Sequence, residues 1–132
     1  MISKDTKFLV VGLGLIGGSY ALGLKNEGYL VSAIAKREET IQYALDKKII
    51  DCGSIEVEPL LPKADVIVLG LYPTIMVDWL KKYQHLIKPG ALLTDVSGVK
   101  RNIVDTIQSF LREDIEFISA HPMAGKETSG VE

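Results

Sequence analysis

A glycine-rich turn near the amino terminus constrains the fold of this chain more than any other sequence feature. The turn has the spacing GxGxxG and reads Gly12-Leu13-Gly14-Leu15-Ile16-Gly17. The apolar run Lys7–Val11 precedes it and is typical of a buried strand. The segment that follows, Ile16–Asn26, has the pattern of a helix that Gly28 would end. A strand, a tight turn and a helix in direct succession predict the start of a βαβ unit.

Strand-like and helix-like segments alternate over the rest of the chain. Further strands are predicted at Leu30–Ala35, Ala64–Leu71, Ala91–Thr94 and Glu116–Ala120. Helices are predicted at Glu38–Lys48, Val77–Leu86 and Asn102–Leu111. Such alternation indicates a parallel sheet joined by right-handed crossovers. The predicted fold class is therefore α/β, with a Rossmann-type doubly wound parallel sheet.

Composition argues against several classes of function. The chain has 132 residues and a net charge of −2, so it lacks the basic excess typical of nucleic-acid-binding proteins. Cys52 is the only cysteine and there is no clustered Cys/His set, so we expect neither a disulfide nor a metal site. The uncharged stretch Phe8–Leu24 holds too many glycines for a good membrane helix. We expect a cytoplasmic protein that acts on a small molecule and binds neither nucleic acid nor membrane.

The three glycines of the turn have distinct predicted roles in binding a dinucleotide. Gly12 permits the tight turn, Gly14 lets the backbone approach a pyrophosphate, and Gly17 lets the helix pack close to the strand. The N–H groups at the helix start, around Leu15 and Ile16, would then face the phosphates. A glycine turn without any ligand is the alternative.

The end of the second predicted strand indicates which dinucleotide is preferred. NAD-binding sites usually place a carboxylate there to bind the ribose 2′-hydroxyl. This chain instead reads Ala35-Lys36-Arg37, and two cations would attract a 2′-phosphate. We predict NADP, bound through Lys36 and Arg37. NAD is the alternative if Glu38 reaches the ribose or if the two cations form a solvated loop.

Polar segments follow the later strands, where ligands of open α/β sheets bind. Leu71, Tyr72 and Pro73 are predicted to contact the cofactor, although Thr74 beside them could simply cap a helix. His121 stands at the tip of the last strand and could accept a hydroxyl proton near neutral pH. The other histidine, His85, is expected on the surface near a helix end.

Three motifs together resemble the prephenate dehydrogenase family, which includes the arogenate and cyclohexadienyl dehydrogenases. They are GLGLIGGS at Gly12–Ser19, TDVSGVK at Thr94–Lys100 and HPMAGKETSG at His121–Gly130. The resemblance implies oxidative decarboxylation of prephenate to 4-hydroxyphenylpyruvate, or of arogenate to tyrosine, in tyrosine biosynthesis.

Site residues also follow from this resemblance. His121 would take the proton of the ring hydroxyl, and Glu127 would gate the substrate pocket. Many members read GSVK where this chain has Ser97-Gly98-Val99-Lys100. Either Ser97 supplies the assisting hydroxyl from a shifted angle, one residue earlier, or this role is absent.

The resemblance also implies that members of this family have further polypeptide after the position that matches Glu132. Residues 1–132 would then be an NAD(P)-binding Rossmann domain whose sheet is incomplete at the carboxyl terminus, and the chain alone would be inactive. In the family a helical second domain forms the homodimer. Two alternatives stay open at this point. One is another two-domain reductase, of the β-hydroxyacid dehydrogenase or imine reductase type, and the other is a non-catalytic dinucleotide-binding module.

Overall fold

A parallel sheet is the centre of the computed structural model, which describes residues 3–96 and 100–119. Within these ranges it has six strands: β1 Lys7–Val11, β2 Leu30–Ile34, β3 Cys52–Ser54, β4 Val66–Leu69, β5 Leu92–Asp95 and β6 Glu116–Ser119. The strand order is β3-β2-β1-β4-β5-β6, and every neighbouring pair is parallel. This is the order of the dinucleotide-binding fold, which reverses direction between β1 and β4. The predicted α/β class is confirmed.

Helices connect the strands and run back across the sheet. They are α1 Leu15–Asn26, α2 Glu38–Asp46, α3 Pro73–Tyr83 and α4 Arg101–Phe110. Short 3-10 helices cover Leu61–Lys63 and Gln84–Leu86. In the described part of the chain, no helix has the length and apolar character needed to cross a membrane.

Each helix differs from the sequence-based prediction at one boundary or both, and two of the differences have a clear backbone cause. Helix α2 ends at Asp46 rather than Lys48, because Lys48 has the left-handed φ of 60° and cannot continue the helix. Helix α3 begins at Pro73, four residues before the predicted start, since proline is well suited to the first helical position. Tyr72 is therefore the N-cap, and the expectation that Thr74 caps this helix is wrong.

Alternation along the strands builds a core on each side of the sheet. On one face Leu9, Leu69 and Leu93 pack against α3 and α4, which contribute Met76 and Ile107. The opposite face carries the residues of the same strands that alternate with these. Its buried members come from β1, β2, β4, α1 and α2, among them Phe8, Val10, Val31, Val68, Ala21 and Ala44. A strand buried on both faces needs this nearly continuous apolar sequence.

Asp65 ties three strands together at the amino-terminal edge of the sheet. Its Oδ2 accepts a hydrogen bond from the Lys7 backbone N–H at 2.7 Å, and its Oδ1 pairs with the Lys88 ammonium. Its backbone carbonyl accepts from the N–H of Leu92. The hydrogen bond from Lys88, and then that from the Lys7 backbone, lower the pKa of Asp65 below its usual value.

This pairing predicts how acid affects stability. A carboxyl whose pKa is lower in the folded state stabilises the fold above its unfolded pKa of about 3.9, and this contribution is lost as pH falls through the folded value. Asp65→Asn should therefore lower the free energy of unfolding at pH 7, and the difference from the wild type should shrink below about pH 4. Urea unfolding between pH 2.5 and 7 measures it, with Lys88→Met as the matched variant expected to weaken the same acid dependence. If the difference in unfolding free energy between Asp65→Asn and the wild type stayed constant from pH 2.5 to 7, the lowered pKa of Asp65 would be contradicted.

Candidate functional site

The glycine turn brings backbone atoms of β1, α1 and β4 into contact at the carboxyl-terminal edge of the sheet. Gly12 has a left-handed φ of 94°, and a Cβ added there would lie 2.6 Å from the carbonyl oxygen of Gly70. A Cβ on Gly17 would lie only 2.0 Å from the carbonyl oxygen of Gly12. Side chains are excluded at both positions, so the structure assigns these two glycines the predicted geometric roles of tight turn and close helix packing.

Gly14 differs from these two glycines because the space beside it is open. A Cβ built on Gly14 would meet no atom within 4 Å. Gly14 is the N-cap of α1, which has no side-chain cap and no acidic residue in its first turn. The N–H groups of the first turn have no partner within a helix, and they favour a bound anion. The open space and the uncapped helix start fit the pyrophosphate of a dinucleotide.

The loop between β4 and α3 lies against the glycine turn. Its first residue, Gly70, donates its N–H to the carbonyl of Val11 at 2.8 Å. A Cβ on Gly70 would approach the carbonyl oxygen of Gly12 to 2.9 Å. Leu71, Tyr72 and Pro73 follow directly, and the Tyr72 side chain is 77% exposed. Of the three residues predicted to contact the cofactor, Leu71 therefore lies beside the glycine turn, and Tyr72 and Pro73 follow it in sequence.

Gly70 is a further residue of this site that is not among those predicted from the sequence. A single glycine at the end of an apolar strand is a common sequence feature, and nothing in the sequence indicates which other loop it approaches. Its position near the end of the predicted strand Ala64–Leu71, just before Tyr72, is the only signal that could have found it.

The end of β2 carries the two predicted phosphate-binding cations. The last residue of β2, Ile34, pairs with Val11 of β1, so the segment after it begins beside the glycine turn. Lys36 and Arg37 are exposed, and Arg37 is the N-cap of α2. Glu38 is the first residue of α2 rather than the tip of β2.

The ends of β5 and β6 complete the same edge of the sheet. Asp95 is fully buried at the end of β5 and pairs in register with Ser119, the last residue of β6. Since all six strands are parallel, these ends share an edge with the glycine turn. Strands β1 and β6 are three strand spacings apart, or about 14 Å.

Three predicted site residues, Ser97, His121 and Glu127, lie outside the described residues. Ser97 comes two residues after Asp95 in sequence, and His121 comes two residues after Ser119. His85 lies elsewhere, exposed in the 3-10 helix after α3, in agreement with its expected surface position. Over residues 3–96 and 100–119, no group of three or more His, Cys, Asp or Glu side chains could hold a metal ion.

Comparisons with known proteins identify what this chain resembles. The sequence profile of the prephenate dehydrogenase nucleotide-binding domain matches residues 20–132. Prephenate dehydrogenase from Lactococcus lactis is 34% identical over 127 residues, which are 95% of this chain and 36% of that protein. Prephenate dehydrogenase from Bacillus subtilis is 33% identical over 131 residues, which are 97% of this chain and 35% of that protein.

A solved structure supports the same relationship. Prephenate dehydrogenase from A. aeolicus, in complex with hydroxyphenyl propionate and NAD+, matches with a TM-score of 0.78 and 30% identity. The match covers 96% of this chain and 44% of that one. The chain thus spans about a third of the length of the curated relatives it matches.

Alanine substitutions at Gly17 and Gly23, which both lie in α1, should have opposite effects on the free energy of unfolding. Gly17→Ala places a methyl group against the Gly12 carbonyl, so it should lower the free energy of unfolding by about 1–3 kcal/mol and weaken dinucleotide binding. Gly23→Ala, whose Cβ would meet nothing within 4 Å, should raise the free energy of unfolding by up to about 1 kcal/mol, because alanine has the higher helix propensity. Urea unfolding and dinucleotide titration measure both effects. Equal behaviour of the two variants would exclude close packing at Gly17.

Proposed function

The chain belongs to the prephenate dehydrogenase family, and we propose that it forms the NADP-binding part of an enzyme that oxidatively decarboxylates prephenate or arogenate. The observation that carries the proposal is the open, uncapped start of α1 beside Gly14, at the edge where β4, β5 and β6 also end. We place the reaction in the cytoplasm, on the route to tyrosine.

The chain's own backbone would hold the dinucleotide. The N–H groups at the start of α1 bind the pyrophosphate, and the loop Leu71–Pro73 lies against the cofactor on the β4 side. When bound, the nicotinamide supplies the hydride acceptor. The A. aeolicus relative was solved with NAD+, which supports a dinucleotide of this class.

Two features support NADP over NAD. Strand β2 ends at Ile34, one residue earlier than predicted, and Glu38 is already part of α2. No carboxylate therefore stands at the tip of β2. Within the described residues, no ion pair or hydrogen bond engages the side chains of Lys36 and Arg37. Two exposed cations beside the ribose position attract a 2′-phosphate, whereas a carboxylate there would repel it.

Cofactor preference tests this part of the proposal. The wild-type chain should bind NADP more tightly than NAD. Lys36→Gln and Arg37→Gln should each weaken NADP binding by roughly 10- to 100-fold, as expected for about 1.5–3 kcal/mol per charged hydrogen bond, and should leave NAD binding almost unchanged. Lys47→Gln, at the other end of α2, is the matched control and should change neither affinity. A clear preference of the wild type for NAD in calorimetric titration would refute the NADP assignment.

The residues after β5 and β6 are proposed to do the chemistry. His121, as the neutral imidazole, accepts the proton of the ring hydroxyl. At the same time, the C–H bond of the ring carbon that bears this hydroxyl breaks, and the hydride is lost. The bond to the ring carboxylate then breaks, and its electron pair enters the ring as carbon dioxide leaves. The proton returns to the phenolate oxygen, so the hydride and carbon dioxide are the only net losses. Ser97 holds the hydroxyl group in position, and Glu127 gates the substrate pocket.

Catalytic activity should require the further polypeptide that the relatives have outside the region that matches this chain. The 132-residue chain should bind NADP but not reduce it when prephenate is added, as followed by absorbance of the reduced nicotinamide. Robust turnover by this chain alone would contradict the proposal.

His121 can be tested in a chimera in which residues 1–132 replace the matching part of the Bacillus subtilis relative. His121→Asn should lower kcat by roughly 10²- to 10⁴-fold, the usual contribution of a general base. NADP affinity should not change. Unchanged turnover would instead favour a dinucleotide-binding module whose histidine has no catalytic role.

A further inference from the structure

A cavity of about 250 Å³ lies over the first residues of β1, β2 and β3. It is on the side of the sheet that also carries α3 and α4, because Leu9 lines it and belongs to the core on that side. Side chains alternate along each strand, and register partners in a parallel sheet point to the same side. The strand residues on this side of the cavity are therefore Lys7, Leu9, Leu30, Ser32 and Cys52.

The short connection between β3 and β4 explains why the cavity is there. This connection contains the 3-10 helix Leu61–Lys63 and no α-helix. Leu60, Lys63 and Ala64 of the connection form the wall of the cavity. Helices α3 and α4 connect β4, β5 and β6, so among the described helices none lies over β2 and β3 on this side.

Most side chains around the cavity are apolar. Leu9 and Ala64 are buried, and Leu60 is partly buried. Leu30 is 56% exposed beside them. A ligand that covers Leu30 and Leu60 removes apolar surface from water, which favours binding. The cavity therefore suits a ligand with an apolar body.

The charge that remains available at the cavity is positive. Lys7, Lys63 and Asp51 line it, and the Asp51 carboxylate already pairs with Lys25. Among the residues that the structure describes, neither Lys7 nor Lys63 makes an ion pair or a side-chain hydrogen bond. The Lys7 ammonium only attracts the Asp65 carboxylate through space. Lys63 in particular is exposed, so it can contact an acidic group of a ligand.

We propose that this cavity binds a small organic anion in which an apolar body carries one acidic group. The body would cover Leu30 and Leu60, and the acidic group would contact Lys63. A volume of about 250 Å³ is slightly below that of sites for drug-sized ligands, so it limits the body to one or two rings.

This inference goes beyond the proposed function and does not rest on it. Lys7 lies about 16 Å from Gly12 along β1, since a strand rises about 3.3 Å per residue. The cavity is therefore separate from the dinucleotide site beside the glycine turn. A ligand of the cavity and NADP should bind without competing, so either proposal can fail while the other stands.

Titration with 2-naphthoate tests the cavity, followed by chemical-shift changes of the backbone amides in the ¹⁵N-labelled chain. The amides of Leu30, Ser32 and Cys52 should shift, and saturating NADP should not prevent this. The neutral 2-naphthamide, which has the same shape, should bind at least threefold more weakly. Cys52 gives a second readout because it is the only cysteine and is exposed. Bound 2-naphthoate should slow its alkylation by iodoacetamide in proportion to occupancy.

Substitutions separate the contributions of charge and apolar contact. Lys63→Gln should weaken 2-naphthoate binding about two- to fivefold, as expected for one exposed ion pair, and Lys63→Arg should retain it. Leu30→Ser should weaken binding of the carboxylate and the amide alike. Lys82→Gln is the matched control, because Lys82 is an exposed lysine of α3 that does not line the cavity, and it should change neither affinity.

Four outcomes would overturn the proposal. No shift of these amides at millimolar 2-naphthoate would mean that the cavity does not bind such a ligand. Equal affinity for the amide would mean that it does not recognise the charge. Displacement by NADP would place the probe in the dinucleotide site. Equal weakening by Lys63→Gln and Lys82→Gln would show only a general attraction of anions to the surface.

Discussion

The carbonyl oxygen of Gly12 is the point on which the rest of the structure depends. A Cβ on Gly17 or Gly70 would lie 2.0 Å or 2.9 Å from it, so β1, α1 and β4 meet there through backbone alone. This contact fixes the start of α1 at the reversal point of the strand order, between β1 and β4. The open space beside Gly14 follows from that position. The glycines therefore determine the packing of the domain and leave open the place proposed for its dinucleotide.

The two edges of the sheet differ in how their charges are used. At the amino-terminal edge, carboxylates are engaged: Asp65 with Lys88, and Asp51 with Lys25. Desolvation raises the pKa of Asp51, but the hydrogen bonds from Lys25 and the Val31 N–H outweigh it and lower that pKa overall. The carboxyl-terminal edge instead carries an uncapped helix start and two exposed cations. One edge thus stabilises the strands, and the other has its charge available for an anionic ligand.

The sequence predicted the parts of the fold that have a strong local pattern. The alternation of apolar runs and amphipathic segments identified five of the six strands of the described sheet. It missed β3, because Cys52–Ser54 has no apolar run and forms a strand only by pairing with β2. The start of α3 has no distinct local signal, because Pro73 suits a loop as well as the first position of a helix. Contacts between distant segments, such as Gly70 with Gly12, have no local signal at all.

The strand order also explains how sites far apart in sequence can act on one ligand. The turns after β1, β2 and β4 surround the proposed dinucleotide, and they are adjacent because these strands are neighbours. The segments that bear Ser97 and His121 follow β5 and β6, which extend the same edge away from the glycine turn. Parallel pairing aligns all these ends. A dinucleotide held by its pyrophosphate at Gly14 can therefore extend along this edge toward the ends of β5 and β6, which strand spacing places about 10–14 Å from β1.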